Sequence, residues 1–234
     1  MMKKYCLLSF LALLFATNVF AGAKDDPLLT FWKVHNLDYF EHDGESLFAM
    51  ESDFWIGKDL DKFWLKTEIE SEAGELEEFE LQALYSKAIA PYWDLQFGVR
   101  HDFKLPKETS WAVIGVNGLA PYYFEIDTAL FIGEGGDLAA RFAAEYEIPI
   151  TQQWILVPEL ETNFYAQNDP INRIGSGLSD VSIGLRLRYE FVREFAFYVG
   201  FEHEKQFGTT AQYAEQDGKS DEENNFLVGI SFWF

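Results

Sequence analysis

The chain has 234 residues and a formal net charge of −21, with 39 acidic against 18 basic residues. Such an anionic chain repels the phosphate backbone of nucleic acid, which excludes nucleic acid as a partner. Disordered acidic chains are poor in aromatic residues, whereas aromatics make up 18% of this sequence and hydrophobic residues 48%. The protein can therefore fold, but it must keep a large apolar surface apart from an excess of carboxylates.

The first 21 residues have the parts of a secretory signal peptide. Two lysines precede the apolar run 7–16, and the segment 19–21 fits a signal peptidase. The apolar run is about half the roughly 20 residues of a spanning helix, which argues against a retained anchor. Cleavage removes two lysines and Cys6, so the charge moves from −21 to −23 and the one cysteine is lost. We predict a cleaved signal peptide at 1–21 and an exported mature chain.

Beyond the signal peptide, apolar and polar residues alternate with a period of two. Along 95–103 and 181–191, each set would occupy one face of a β-strand. No stretch approaches about 18 consecutive apolar residues, which excludes helical membrane spans. The pattern predicts about twelve strands near the length of an outer-membrane strand, the first with the weakest alternation. They are 29–40, 46–56, 62–73, 77–89, 92–103, 110–119, 121–132, 138–149, 152–166, 179–191, 194–208 and 224–234.

The links between these strands differ in length according to their parity. From a periplasmic N-terminus the even-to-odd links are short, whereas the two longest links, 167–178 and 208–223, are both odd-to-even. Bacterial barrels keep periplasmic turns short and extracellular loops longer, and a soluble β-sandwich gives no reason for this parity. We predict an all-β fold, a closed antiparallel transmembrane β-barrel at 29–234 in the outer membrane, after a short periplasmic segment at 22–28. Gly133, Gly135 and Gly136 are expected to form an extracellular hairpin turn.

The last strand has the most specific local pattern. One face of it carries only apolar residues and the chain stops at an aromatic: Phe226, Val228, Ile230, Phe232 and Phe234. A terminal aromatic on an amphipathic strand is the pattern that the outer-membrane barrel-assembly machinery recognises. The edge strand of an ordinary sandwich is the alternative. Together with the signal peptide and the strand number, the pattern favours a barrel in contact with outer-membrane lipid.

Five segments, in this order over most of the mature chain, match a known family. They are WLKTEIE (64–70), LYSKAIAPYWDLQFGVRHDF (84–103), GLAPYYFEIDTALFIGE (118–134), IGSGLSDVSIGLRLRYEFVREFAFYVG (174–200) and SFWF (231–234). Through them the chain resembles the copper resistance protein B family of outer-membrane proteins. The resemblance implies a barrel linked to copper tolerance, which sequesters or moves copper ions, with a periplasmic multicopper oxidase as a further partner.

The soft ligands that copper prefers are few in this chain. Members of the family commonly carry a segment rich in methionine and histidine ahead of the barrel, because copper ions favour thioethers and imidazoles. Here only residues 22–28 are expected to precede the first strand. The mature chain has Met50 as its one methionine, and four histidines: His35, His42, His101 and His203. The candidate metal ligands are therefore His42 with Asp43 and Glu45 in a loop, and His35 and Met50 nearby along the chain. A solvated acidic loop is the alternative.

The alternation also predicts which charged residues face the lumen. They are Lys66, Glu68, Glu70, Glu78, Glu80, Arg100, Asp102, Glu125, Asp127, Arg141, Glu145, Glu159, Glu161, Arg186, Arg188 and Glu202. One interpretation is that cross-strand ion pairs fill a narrow barrel. The other is a lumen that attracts cations, since carboxylates outnumber cations beside low-dielectric walls. Carboxylates can hold Cu(II), but they do not select copper.

Two functions other than copper handling are open to a chain with these residues. A general cation-preferring pore or a structural barrel is compatible with an acidic lumen and needs no copper-specific ligands. A rim hydrolase would need a nucleophile, but there is no G-x-S-x-G motif, and neither His101 nor His203 has a serine two residues away on its strand face. We therefore predict that the protein is not an enzyme. Six tryptophans are expected to form an interfacial girdle instead of a ligand site: Trp32, Trp55, Trp93, Trp111, Trp154 and Trp233.

Overall fold

A computed structural model describes residues 27–42, 45–72, 74–103 and 107–234, without side chains for 41–42, 45–46, 72, 75 and 77. The predicted signal peptide and Asp43 lie outside the described residues. No helix in the described part of the chain is long and apolar enough to cross a bilayer.

Almost the whole described chain forms one antiparallel sheet. Its strands are β1 (Leu29–His42), β2 (Glu45–Gly57), β3 (Asp61–Glu72), β4 (Glu75–Ala90), β5 (Trp93–Asp102), β6 (Thr109–Ala120), β7 (Phe124–Gly133), β8 (Leu138–Glu145), β9 (Ile148–Pro149), β10 (Trp154–Tyr165), β11 (Gly177–Val192), β12 (Phe195–Gln206) and β13 (Glu222–Trp233). Both β8 and β9 pair with β10, so together they occupy one position in the sheet. Each strand pairs with its neighbours in sequence, and β1 pairs with β13. The sheet is therefore a closed barrel of twelve strands, as predicted.

Side chains alternate between the lumen and the outer surface. On β13, Asn225 and Leu227 are buried and line the lumen, whereas Phe226 and Val228, which alternate with them, are 78% and 53% exposed. A period of two puts successive side chains on opposite faces, so the apolar residues of this strand cover the outside. The alternation thereby separates the apolar surface of the protein from its carboxylates.

The first strand contains a β-bulge. Its register shifts between Val34 and Asn36 against β2, and between Val34 and Leu37 against β13. A bulge adds one residue to one strand and turns two neighbours toward the same side, and His35 and Asn36 both line the lumen. This bulge explains the weak alternation of the first predicted strand.

The two ends of the barrel differ as the link lengths predicted. The links 58–60, 91–92, 121–123, 150–153 and 193–194 are short turns at the end expected to be periplasmic. At the opposite end Gly133 to Asp137 close a tight hairpin, in which Gly136 has a positive φ of 84° that suits glycine. The last long link contains a helix, α1 (Gly208–Gln216), which the alternation and the link lengths do not show.

Candidate cation-binding lumen

The interior of the barrel contains a cavity of about 1060 Å³. Its walls carry 20 aspartate and glutamate residues against seven lysines and arginines among the described residues. Fixed charge of one sign beside low-dielectric walls focuses the electric field and raises the local concentration of counter-ions. The lumen therefore attracts cations and repels anions.

Almost all of the predicted lumen residues lie at this cavity. Its lining includes Lys66, Glu68, Glu70, Glu78, Glu80, Arg100, Asp102, Glu125, Asp127, Arg141, Glu145, Glu159, Glu161, Arg186 and Glu202. Arg188 lines a smaller neighbouring cavity instead, where it forms an ion pair with Glu147 and lies 3.6 Å from Glu190. Asp38 and Tyr198, which the sequence did not single out, bond to each other inside the barrel, with the phenol donating to the carboxylate at 2.7 Å.

One ion network crosses the lumen from β4 to β8. The Glu80 carboxylate accepts from Arg100 at 2.9 Å and from Arg141 at 3.0 Å, and its side chain is only 3% exposed. Arg141 also lies 3.3 Å from Glu68 and from Glu161. Both guanidinium groups lie over the ring of Phe131, which belongs to a buried apolar cluster on the inner wall with Leu84, Trp111 and Val113. The arginines therefore hold several carboxylates against an apolar part of the wall.

A second network is centred on Arg186 of β11. Its guanidinium lies 3.3 Å from Asp38 and 3.8 Å from Glu202, and it also pairs with Glu159. Elsewhere on the wall, Lys66 pairs with Asp127. Arg141 and Arg186 each pair with three carboxylates. Because 20 carboxylates line the cavity against seven cations, pairing among the described residues cannot neutralise the lumen.

The predicted metal ligands do not all meet in the structure. The His35 imidazole lines the lumen and lies 3.3 Å from Asp53 of β2. Met50 borders the same cavity, but its position in β2, opposite Leu37 and Ile69, puts its side chain on the alternate face from Glu51 and Asp53. His42 and Glu45 are paired backbone positions at the top of β1 and β2. Among the described residues, no three His, Cys, Asp or Glu side chains converge to hold a metal ion.

The other two histidines lie on the outer face, as the alternation indicated. His101 bonds to Ser110 at 2.8 Å and lies 3.7 Å from Glu108, and His203 bonds to Asn224 at 3.0 Å. Alternation along one strand does not reveal the contact with Ser110, because the serine lies on the neighbouring strand, directly opposite the histidine.

The tryptophan girdle was partly wrong. Trp111 belongs to the inner cluster and donates to Asp102 at 2.8 Å. Trp55 is directly opposite Trp64 and shares the face of the lumen residues Asp53 and Lys66, with 6.2 Å between the two ring centroids. Trp55 also stacks on Phe31 at 5.9 Å. Phe31, Trp55 and Trp64 form an aromatic layer on the inner wall, below the cavity at its periplasmic end, whereas Trp111 lines the cavity itself. The lumen of a narrow barrel has room for such large side chains.

At the opposite end the two long loops contact each other above the cavity. Thr210 of α1 accepts from the backbone N–H of Gly175 at 2.8 Å and bonds to Ser179 at 3.0 Å. Arg173 pairs with Asp217 at 2.7 Å. We call this contact between the link 166–176 and α1 the upper lid. It covers part of the extracellular mouth of the lumen, and several of its residues line the top of the cavity.

A closed barrel with an apolar outer face and a charged lumen defines an integral outer-membrane protein. The solved structure of the NanC porin shares this fold, with a TM-score of 0.58 at 11% sequence identity, over 87% of this chain and 99% of that one. This likeness concerns the fold alone.

The family follows from sequence comparison. Residues 28–234 match the family model described as "Copper resistance protein B precursor (CopB)", and the chain belongs to this family. It is 41% identical over 198 residues to Copper resistance protein B of Escherichia coli, which covers 85% of this chain and 67% of that protein. It is 38% identical over 210 residues to the Copper resistance protein B homolog of Pseudomonas syringae pv. tomato (strain ATCC BAA-871 / DC3000), covering 90% and 71%.

Proposed function

We propose that this outer-membrane protein contributes to copper resistance by binding copper ions, or letting them pass, in its acidic lumen. The observation that carries the proposal is the imbalance of 20 carboxylates against seven cations around the cavity. It is supported by relatives that are named for copper resistance. Copper is the cargo here, held by electrostatic capture without covalent chemistry. In this proposal the outer face contacts lipid, and the barrel-assembly machinery recognises the last strand. A periplasmic multicopper oxidase is the proposed protein partner.

We propose that the imidazole of His35 provides the nitrogen ligand of the bound copper ion. It is the histidine that lines the lumen among the described residues, and its ring lies 3.3 Å from the Asp53 carboxylate. Beside it, Asn36 donates to Glu51 at 3.1 Å, which places a second carboxylate on the same part of the wall. Imidazole nitrogen with carboxylate oxygen suits Cu(II), whereas carboxylates alone do not discriminate between divalent ions.

Electron paramagnetic resonance of Cu(II) bound to the refolded mature protein in detergent tests this assignment. We expect splitting from one coordinated nitrogen in the wild type and in His203→Gln, whose histidine faces outward. We expect its loss in His35→Gln. A nitrogen signal that survives in His35→Gln, or a spectrum of free aqueous Cu(II) in the wild type, would overturn the role of His35. Isothermal titration with Zn(II) and Ca(II) on the same samples then measures the preference for copper.

The second candidate is a general cation-preferring pore or a structural barrel. The lack of converged metal-ligand groups among the described residues favours it. Planar-bilayer recordings under a salt gradient separate the candidates. An open, cation-selective channel with equal affinity for Cu(II), Zn(II) and Ca(II) supports the pore.

The absence of catalysis is also part of the proposal. The contact between Ser110 and His101 provides the control, because it is the arrangement most like a hydrolase. Ester hydrolysis that disappears in Ser110→Ala would contradict a role without covalent chemistry.

A further inference from the structure

A group of oxygen-bearing side chains lies on the lumen wall toward its extracellular end. Glu202 and Glu204 of β12 are directly opposite Asn225 and Glu223 of β13, respectively, and all four line the cavity. We call these four residues the upper acidic patch. Directly opposed side chains have Cβ atoms about 4.5–5.5 Å apart, and like charges at such positions are destabilising. The opposition of Glu204 and Glu223 therefore needs a compensating charge.

The described residues supply little of that charge. Neither Glu204 nor Glu223 has a cation at ion-pair distance in the described part of the chain. Glu202 lies 3.8 Å from Arg186, but that guanidinium is closer to Asp38, at 3.3 Å, and also pairs with Glu159. The described cations therefore leave Glu204 and Glu223 without an ion pair and Glu202 with a shared one.

Asn225 provides an independent sign of a missing partner. It is only 7% exposed, lines the lumen, and its Oδ1 accepts no hydrogen bond from the described residues. A buried acceptor without a partner destabilises the fold, because it loses its hydrogen bonds to water without replacement. Glu202 lies directly opposite Asn225 on β12, and Glu223 lies two residues before it on the same face of β13. One cation can interact favourably with all three carboxylates and with the amide oxygen that has no hydrogen-bond donor.

We propose that the upper acidic patch binds one hard divalent cation of the calcium class. Calcium is held by carboxylate and amide oxygens in flexible geometry, and these are the ligands present. The patch has neither the imidazole nor the thioether that copper prefers, so the site is separate from His35 and does not depend on the copper role. Since the carboxylates are not yet converged, binding draws Glu204 and Glu223 together by side-chain rotation. The ion then neutralises the opposed charges and satisfies Asn225.

Isothermal titration of the refolded, chelator-treated protein in detergent with CaCl₂ tests the site. We expect one equivalent to bind, with a Kd on the order of 10⁻⁵ to 10⁻³ M. In Glu204→Gln/Glu223→Gln the affinity should fall by about tenfold or more, equivalent to about 1.4 kcal/mol. The matched control is Glu125→Gln/Glu145→Gln, which removes another directly opposed carboxylate pair from the same lumen. This control removes the same number of negative charges from the lumen but leaves the upper acidic patch intact, so its affinity for calcium should fall by less than about threefold.

Two variants of Asn225 test the orphaned oxygen. Asn225→Asp keeps an oxygen ligand and adds a charge, so it should bind calcium more tightly. Asn225→Leu should bind it more weakly, yet fold at least as stably without calcium, because it removes an unsatisfied buried group. The electrophoretic shift between folded and heated protein verifies that each variant forms the barrel.

Several outcomes would overturn the site. They are the absence of saturable calcium binding in the wild type, equal weakening in the two double variants, or an affinity unchanged in Asn225→Leu. A copper signal that depends on His35 would persist in each case, so failure of this site is distinguishable from failure of the proposed function.

Discussion

Removing the charge of Glu80 should destabilise the barrel strongly. Its carboxylate receives Arg100 at 2.9 Å and Arg141 at 3.0 Å, and the side chains of Glu80 and Arg100 are 3% and 6% exposed. In Glu80→Gln the shape is kept, but two guanidinium groups that converge on one point lose the anion between them. Breaking a buried pair from one side costs about 3–5 kcal/mol because it leaves an uncompensated charge.

Part of this loss is offset by the remaining partners. Arg100 keeps Asp102 at 2.6 Å, and Arg141 keeps Glu68 and Glu161, whose side chains are each 37% exposed and therefore partly screened by water. We accordingly expect the lower end of the range, about 3 kcal/mol, for the loss of unfolding free energy.

Urea unfolding of the refolded protein, followed by tryptophan fluorescence, measures this change. Glu223→Gln is the matched control, since it removes a lumen carboxylate without an ion pair among the described residues and should be neutral or stabilising in chelator. The double variant Glu80→Gln/Arg141→Met should recover part of the loss, because the charge that Glu80 compensated is also removed. A change below about 1 kcal/mol in Glu80→Gln would refute the reasoning and show that lumen water screens the network.

Two further predictions concern the ends of the barrel and of the chain. In planar bilayers, Trp55→Ala/Trp64→Ala should raise the single-channel conductance, because it removes two large side chains from the aromatic layer below the cavity. Trp154→Ala, on the outer face, should leave the conductance unchanged. Equal conductance in the wild type and both variants would contradict a constriction at this layer. Phe234→Ala should slow insertion by the assembly machinery while leaving the stability of the refolded barrel within about 0.5 kcal/mol of wild type, as for an exposed position, and a normal insertion rate would disprove the role of the terminal aromatic.

Period-two alternation was sufficient to predict the strands. It located all twelve because a strand in a barrel has lipid on one side and the lumen on the other along its whole length, so each side chain is sorted by its own position. The acidic residues 68, 80 and 159 could be assigned to the lumen on this basis alone. Link length likewise distinguished the two ends. The sequence thus determined the fold class, the strand number and the sign of the charge inside the barrel.

Local pattern did not reveal departures from that alternation. The bulge that turns both His35 and Asn36 toward the lumen depends on pairing with two neighbouring strands, so one strand read by itself cannot show it. The inward position of Trp111 and its bond to Asp102 were missed because tryptophan occurs both at membrane interfaces and in cores. Helix α1 was missed because it is short and lies in a link.

The period-two pattern and the composition are enough to predict that carboxylates exceed cations inside a twelve-stranded barrel in the outer membrane. Which carboxylates are neutralised depends on the tertiary structure, because Arg141 and Arg186 reach across the lumen to strands far away in sequence. Arg186 meets Asp38, and Arg141 meets Glu68 and Glu80, through barrel closure and strand register. The register of β12 and β13 leaves Glu204 and Glu223 facing each other, without a cation at ion-pair distance among the described residues. Ion pairing depends on distances of a few ångströms in space, and these exist only once the sheet has closed.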